Sequence, residues 1–69
     1  MIDDELRRLG FGPTIAGGPY PRWWRATDRA LVEIRENDDL YRWDSEAFIF
    51  SSTSIDELDE AGPAQGRLL

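Results

Sequence analysis

Four short runs of aromatic and β-branched residues constrain what this chain can fold into more than any other feature. They occupy residues 23–27, 30–35, 40–43 and 47–51. Asp, Asn, Ser or charged residues of the turn-forming kind separate each run from the next. Runs of this length and composition are typical of strands joined by tight turns. The pattern therefore predicts a small antiparallel meander of three or four strands.

The run at 30–35 shows the strand period most clearly. Ala30, Val32 and Ile34 fall on one side of an extended chain, whereas Glu33 and Arg35 fall on the other. This alternation predicts a strand with one buried face, and the following sequence ENDD, residues 36–39, predicts the turn to the next strand.

The first residues predict a short helix over 2–9. Ile2, Leu6 and Leu9 have the spacing of one helical face, with acids in the first turn and arginines in the last. Gly10 stands where a left-handed helix end belongs, and Phe11 can fold back onto Leu6. The next ten residues, GPTIAGGPYP, contain three Gly and three Pro. They predict a loop with at most a brief extended piece around 14–16.

A second short helix is predicted after the strands. Ser54 and Glu57 fit a capping box, Ile55 and Leu58 form an apolar stripe, and Gly62 with Pro63 ends it. The expected architecture is thus α+β: a meander flanked by a short N-terminal and a short C-terminal helix. We expect one domain over residues 1–62 and a disordered tail over 63–69.

The apolar positions of these elements predict a single small core. Its expected members are Ile2, Leu6, Leu9, Phe11, Val32, Ile34, Ile55 and Leu58, together with one of Trp23 and Trp24. A chain of 69 residues without cysteine must be stabilised by packing alone. No leader peptide or membrane span is recognisable, which predicts a cytoplasmic protein. All eight basic residues are Arg, a bias that points to a GC-rich genome or one of its phages.

The side chains present argue against catalysis. The chain has no His, Cys or Lys, so the commonest general base, thiol nucleophile and soft metal ligands are missing. The acids do not have the spacing of a calcium-binding loop. We therefore expect no enzyme activity, no cofactor and no metal site.

The aromatic and arginine-rich stretch after the loop is the best candidate for a partner surface. Strand alternation puts Trp23 with Arg25 on one face and Trp24 on the other, and the sequence leaves open which Trp is buried. Trp and Arg are enriched at binding hot spots, although Arg stacked on Trp can also serve stability alone. The candidate partner-binding residues are Tyr20, Arg22, Trp23, Arg25 and Trp43 in the aromatic half, and Asp56, Glu57, Asp59 and Glu60 in the acidic half.

Two functions are compatible with these features. The first is a small acidic, non-enzymatic protein-binding module: an inhibitor, adaptor or regulatory subunit, encoded by a phage or mobile element. Its acidic half could also mimic nucleic acid on a basic partner. The alternative is single-stranded nucleic-acid binding, with Tyr20, Trp23 and Trp43 stacking on bases. Its phosphate contacts would come from Arg22, Arg25, Arg29 and Arg42. The net charge of -6 argues against direct nucleic-acid binding. The sequence leaves the oligomeric state open.

Overall fold

The computed structural model describes residues 1–15 and 18–59. Helix α1, Ile2–Arg8, precedes five strands: β1 Gly12–Thr14, β2 Arg22–Arg25, β3 Ala30–Ile34, β4 Leu40–Asp44 and β5 Ile49–Thr53. A short 3-10 turn, Glu36–Asp38, joins β3 to β4. Residues 55–59 form the described part of a second helix, α2. The predicted helix end at Gly62 and Pro63 and the predicted tail 63–69 lie outside the described residues.

The strands form one antiparallel sheet in the order β1-β2-β3-β4-β5, so each strand pairs with its neighbour in sequence. The predicted α+β class is confirmed, but the predicted number of three or four strands is wrong. The additional strand is β1, which pairs with β2 through Pro13 opposite Trp23. Pro13 has no N–H to donate, and an edge strand is the place in a sheet where that is tolerated. Strand β5 also begins two residues later than predicted, because residues 45–48 form the hairpin turn.

Helix α1 ends in the predicted Schellman motif. The N–H of Phe11 donates to the carbonyl of Leu6 at 3.0 Å, and the N–H of Gly10 donates to that of Arg7 at 3.0 Å. Gly10 has a φ of 98°, which L side chains rarely adopt. A Cβ there would also lie 3.4 Å from the Cδ of Arg25. The glycine is therefore required by the backbone conformation of the helix end, whereas a Cβ would make only an ordinary contact with Arg25.

The hydrophobic core lies between one face of the sheet and the two helices. Its buried members are Leu6, Phe11, Trp23, Ala30, Val32, Ile34, Leu40 and Leu58, with Ile2, Leu9 and Ile55 packed against them. All the positions predicted for the core are among these residues, and Ala30 and Leu40 are additional. The register Trp23↔Val32 places both side chains on the covered face. Trp23 is thus the buried member of the tryptophan pair.

The start of α2 follows only part of its prediction. The N–H of Glu57 donates to the Oγ of Ser54 at 3.2 Å, as an N-cap requires. The Glu57 carboxylate does not complete a capping box, because it accepts instead from the hydroxyl of Thr53 at 3.0 Å. Both bonds hold α2 to the end of β5.

Arg25 is a charged residue inside this core, with only 3% of its surface exposed. Its Nε and one terminal nitrogen donate to the two carboxylate oxygens of Asp28, each at 2.9 Å. It also donates to the carbonyls of Leu9 at 3.0 Å and Leu58 at 2.9 Å. Its guanidinium lies 4.5 Å from the ring centre of Phe11. One side chain therefore links the β2–β3 turn to the C-terminal end of α1 and to α2.

Asp28 is held ionised by its neighbours. Burial on its own raises the pKa of this carboxyl. The hydrogen bond from Arg25 and the charges of Arg25 and Arg42 lower the pKa by more than burial raises it. The net result is a pKa below the ordinary value of 3.8. A carboxyl whose pKa is depressed by folding stabilises the fold above its unfolded pKa and ceases to do so as the pH falls through the folded one.

We expect Asp28→Asn to lower the free energy of unfolding at neutral pH by about 3–5 kcal/mol, because it leaves the buried Arg25 charge without its counter-ion. The wild-type protein should also lose stability below about pH 4, and the variant should lose less over that range. Urea unfolding at pH 7 and pH 3, followed by circular dichroism, measures both effects. Asp3→Asn, an exposed change of equal charge, serves as the control. An acid sensitivity unchanged in Asp28→Asn would contradict the assignment.

The tryptophan pair provides a test of the strand phase. Trp23 is 4% exposed and Trp24 is 41% exposed. Trp23→Ala should cost about 3–5 kcal/mol of unfolding free energy through lost burial and a cavity. Trp24→Ala should cost about 1 kcal/mol or less. Chemical denaturation of the two variants makes the comparison, and equal losses would show that both rings belong to the core.

Candidate functional site

The sheet face opposite the helices carries an aromatic surface. The register pairs Trp24 with Leu31 and Trp43 with Phe50, and Val32↔Arg42 places Leu31 beside Trp43. These four side chains thus form one row across the sheet. A second row crosses the sheet through Arg22, Glu33 and Tyr41, because Glu33 pairs with Arg22 on one side and with Tyr41 on the other. We call this surface the open face; it comprises Tyr20, Arg22, Trp24, Leu31, Glu33, Arg35, Tyr41, Trp43, Phe48 and Phe50.

Trp43, in this row, contacts two phenylalanine rings. Its ring centre lies 5.1 Å from that of Phe50 and 6.0 Å from that of Phe48, with the Phe48 ring stacked at an interplanar angle of 17°. Phe48 is nevertheless 78% exposed. Trp24, at the β2 end of the row, is also exposed, so the open face presents two large rings to solvent, Trp24 in the sheet and Phe48 in the hairpin turn. Exposed apolar surface of this kind is typical of contact sites.

The arginines of the open face are bound to one buried acid. Glu33, with 5% of its side chain exposed, accepts from the Nε of Arg22 at 2.9 Å through one oxygen. Its other oxygen accepts from Arg35 at 3.0 Å and 2.9 Å. Two guanidinium groups and one carboxylate leave a single net positive charge in this cluster.

Aromatic rings fix the same guanidinium groups in place. Arg35 lies 4.1 Å from the ring centre of Tyr41 and 5.4 Å from that of Tyr20. Arg22 lies 5.3 Å from the ring centre of Phe50. Each such contact contributes about 0.5–1 kcal/mol at a partly exposed site. The open face is therefore ordered before any partner binds, which lowers the entropy cost of association.

Phe48 has an unusual backbone. Its φ of 57° lies in the left-handed region, where turns normally carry Gly or Asn. The hairpin holds it there: the N–H of Phe48 donates to the carbonyl of Asp44 at 2.8 Å. The Asp44 carboxylate accepts from the N–H groups of Glu46 and Ala47 at 2.9 Å and 3.2 Å. Arg29, the last residue of the other four-residue turn, has the same conformation with a φ of 56°, so the left-handed position belongs to the turn geometry and Phe48 occupies it at the cost of some strain.

Three of the sequence-predicted residues come together on the open face: Tyr20, Arg22 and Trp43. Trp23 and Arg25 do not join them. Both are buried on the helix-covered face, Trp23 in the apolar core and Arg25 on its ion pair with Asp28. Their inclusion among the surface candidates is thus wrong, because the face that Trp23 and Arg25 share is the buried one and Trp24 is the outward ring.

The acidic candidates lie elsewhere. Asp56, Glu57 and Asp59 are exposed on α2, on the helix side of the sheet, and Glu60 lies outside the described residues. Among residues 1–15 and 18–59, no three acidic side chains converge as metal ligands. A polar cleft near the turns contains Asp28 and Asp44, whose carboxylates already bind Arg25 and the hairpin backbone.

Sequence reasoning missed Trp24, Arg35, Tyr41, Phe48 and Phe50 as members of this surface. Period-two alternation places Tyr41 on the same face as Trp43 within one strand. Tyr41 was therefore predictable once Trp43 was chosen as a candidate. No sequence signal indicates Phe48, because a phenylalanine in a left-handed turn position runs against residue preference.

No protein-family model, curated protein or solved structure matches the chain. In the part of the chain that the structure describes, no helix is long and apolar enough to cross a membrane.

We expect Phe48→Gly to be more stable than Phe48→Ala by about 1 kcal/mol, because glycine adopts the left-handed conformation without strain. Both variants lose the stacking on Trp43, so this comparison isolates the backbone effect. Phe48→Gly itself should remain within about 1 kcal/mol of the wild-type protein, since relief of strain offsets the lost ring contact. Thermal and urea unfolding of the three proteins test this. An alanine variant at least as stable as the glycine variant would show that residue 48 is unstrained.

Proposed function

We propose that this protein is a small acidic, non-enzymatic protein-binding module that contacts its partner through the open face. The observation that carries the proposal is a pair of exposed rings on one face: Trp24, at the β2 end of the row, and Phe48, which stacks on Trp43. Trp and other large rings dominate the energetics of protein interfaces when they bury against a partner. An inhibitor, adaptor or regulatory subunit, including one encoded by a phage or mobile element, fits this description.

A cost to the free protein supports a binding role for Phe48. Its left-handed backbone costs of the order of 1 kcal/mol, and its ring is mostly exposed. Stacking on Trp43 recovers part of this energy, but a glycine would avoid the strain altogether. A partner that buries the ring would supply the remaining benefit.

The pairing of the arginines favours a protein over a nucleic acid as the partner. Of the five arginines in 22–42, Arg22 and Arg35 bind Glu33, while Arg25 and Arg42 bind Asp28. Arg25 is also buried and cannot reach a phosphate. Backbone binding to single strands depends on a positive groove along the stacking platform. The net charge of -6 opposes such binding at longer range.

We expect Trp24→Ala and Phe48→Gly to lose partner capture while remaining folded. Affinity purification from cells that carry the gene, followed by mass spectrometry, compares these variants with the wild-type protein. Arg8→Ala, an exposed change on α1 at the helix side, is the control and should retain the partner. Equal recovery of the same proteins by all variants would contradict the use of the open face.

A direct titration tests the alternative function, which is single-stranded nucleic-acid binding. Single-stranded oligonucleotides that stack on Trp24 or Trp43 would quench tryptophan fluorescence at low salt. Saturable quenching that Trp24→Ala abolishes would establish nucleic-acid binding in place of protein binding.

A further inference from the structure

The outer edge of β5 is a second surface with the features of a binding site. Strand β5 is last in the sheet order, and it pairs with β4 along one edge only. Within residues 1–15 and 18–59, no strand lies along its other edge. An edge strand presents unpaired N–H and C=O groups that can bind another extended chain.

The two edges of the sheet differ in how they are protected. Strand β1 has only three residues and includes Pro13, and short length and proline both discourage pairing. Strand β5 has five residues, IFSST, without a proline or a charged side chain. Soluble proteins usually blunt such an edge with charges, prolines or bulges, so an unprotected one indicates use.

Acidic residues flank this uncharged edge at both ends. Asp44 and Glu46 precede β5 in the hairpin, and Asp56 and Glu57 follow it in α2, all of them exposed. Residues 43–59 contain five acids and no basic residue. The edge thus presents an uncharged centre about 17 Å long between two negative ends.

This charge pattern disfavours a second copy of the chain on the edge. In an antiparallel pairing of two β5 strands, the hairpin acids of one copy meet the α2 acids of the other. In a parallel pairing, each acidic end meets its own equivalent. Either arrangement brings like charges together, whereas a basic segment would be attracted at both ends.

The side chains of β5 specify the centre of the incoming segment. Ile49 and Phe50 point to opposite faces of the sheet, and Ile49 is 55% exposed. An added strand would place its own side chains directly beside both. Apolar or β-branched residues at those positions gain cross-strand contacts, so the occupant is apolar in the middle.

We propose that the outer edge of β5 binds an extended segment of a partner protein as a sixth strand. The segment is uncharged and β-branched over the length of β5 and carries Lys or Arg at both ends. This inference rests on the proposed protein-binding function and names the part of the partner that binds. Main-chain hydrogen bonds supply affinity, and the flanking charges supply register and selectivity.

The test uses the full chain and a fluorescein-labelled synthetic peptide. The peptide has alternating valine and threonine residues over the length of β5, with two lysines at each end. We expect saturable binding by fluorescence anisotropy that weakens as salt rises from about 0.05 to 0.5 M. Amide hydrogen exchange followed by NMR should slow at Ile49–Thr53. The same peptide with a central proline, or with glutamates in place of the lysines, should not bind.

Two variants separate the charge contribution from the strand contribution. Glu46→Gln combined with Asp56→Asn should weaken peptide binding about three- to tenfold, as expected for two exposed ion pairs. Asp3→Asn combined with Asp4→Asn makes the same charge change on α1 and should leave the affinity unaltered. Ser52→Lys places a positive charge on the edge and should abolish binding without unfolding the protein.

The outcomes distinguish this inference from the open-face proposal. Absence of peptide binding, or protection that appears around Trp24 instead of β5, would overturn the strand-addition proposal and leave partner capture by the open face intact. A dimer in sedimentation that Ser52→Lys dissociates would place a second copy on the edge and also overturn it. Peptide bound on β5, together with partner capture that Trp24→Ala does not affect, would overturn only the open face as a contact surface.

Discussion

The buried Arg25–Asp28 pair is the interaction on which the rest of this structure depends. A charge taken out of water is costly unless it is paired and its remaining donors are bonded. Arg25 meets that condition, because Asp28 and the carbonyls of Leu9 and Leu58 accept from it. Those acceptors belong to a strand turn, to the C-terminal end of α1 and to α2. The pair therefore holds both helices on the same side of the sheet, in a chain that has no cysteine to staple them.

Because both helices lie on one side of the sheet, they do not cover the open face. The polar side chains of the open face bind one another instead: Glu33 accepts from Arg22 and Arg35, and Tyr20 and Tyr41 cover the guanidinium of Arg35. This cover is incomplete at Trp24 and Phe48. Because Arg22 and Arg35 are bound to Glu33, and residues 43–59 around β5 carry acids and no basic residue, the surface is divided into an aromatic face and an acid-flanked edge. We propose that the aromatic face and the acid-flanked edge contact different parts of a protein partner.

Features that depend on near neighbours in the chain could be predicted from the sequence. The Schellman end of α1 and the N-cap at Ser54 follow from residues within one or two turns, and the structure has both. The phase of β3 follows from its period-two alternation, which placed Val32 in the core and Glu33 with Arg35 on the opposite face. The α+β class and the core positions were predictable for the same reason: apolar periodicity is a local property.

What only the tertiary structure decided depends on groups far apart in the chain. Alternation shows that Trp23 and Trp24 point to opposite faces of the sheet, but it does not indicate which face the helices cover. The pairing register decides it, because Trp23 stands opposite Val32 on the covered face, where Arg25, in the same phase, finds carbonyl acceptors 16 and 33 residues away. Likewise, Gly12–Thr14 becomes a strand only because the edge of β2 is available to pair with it. The sequence by itself determined the local elements and their faces, whereas long-range burial and hydrogen bonding decided which face became the core and which stayed open to solvent.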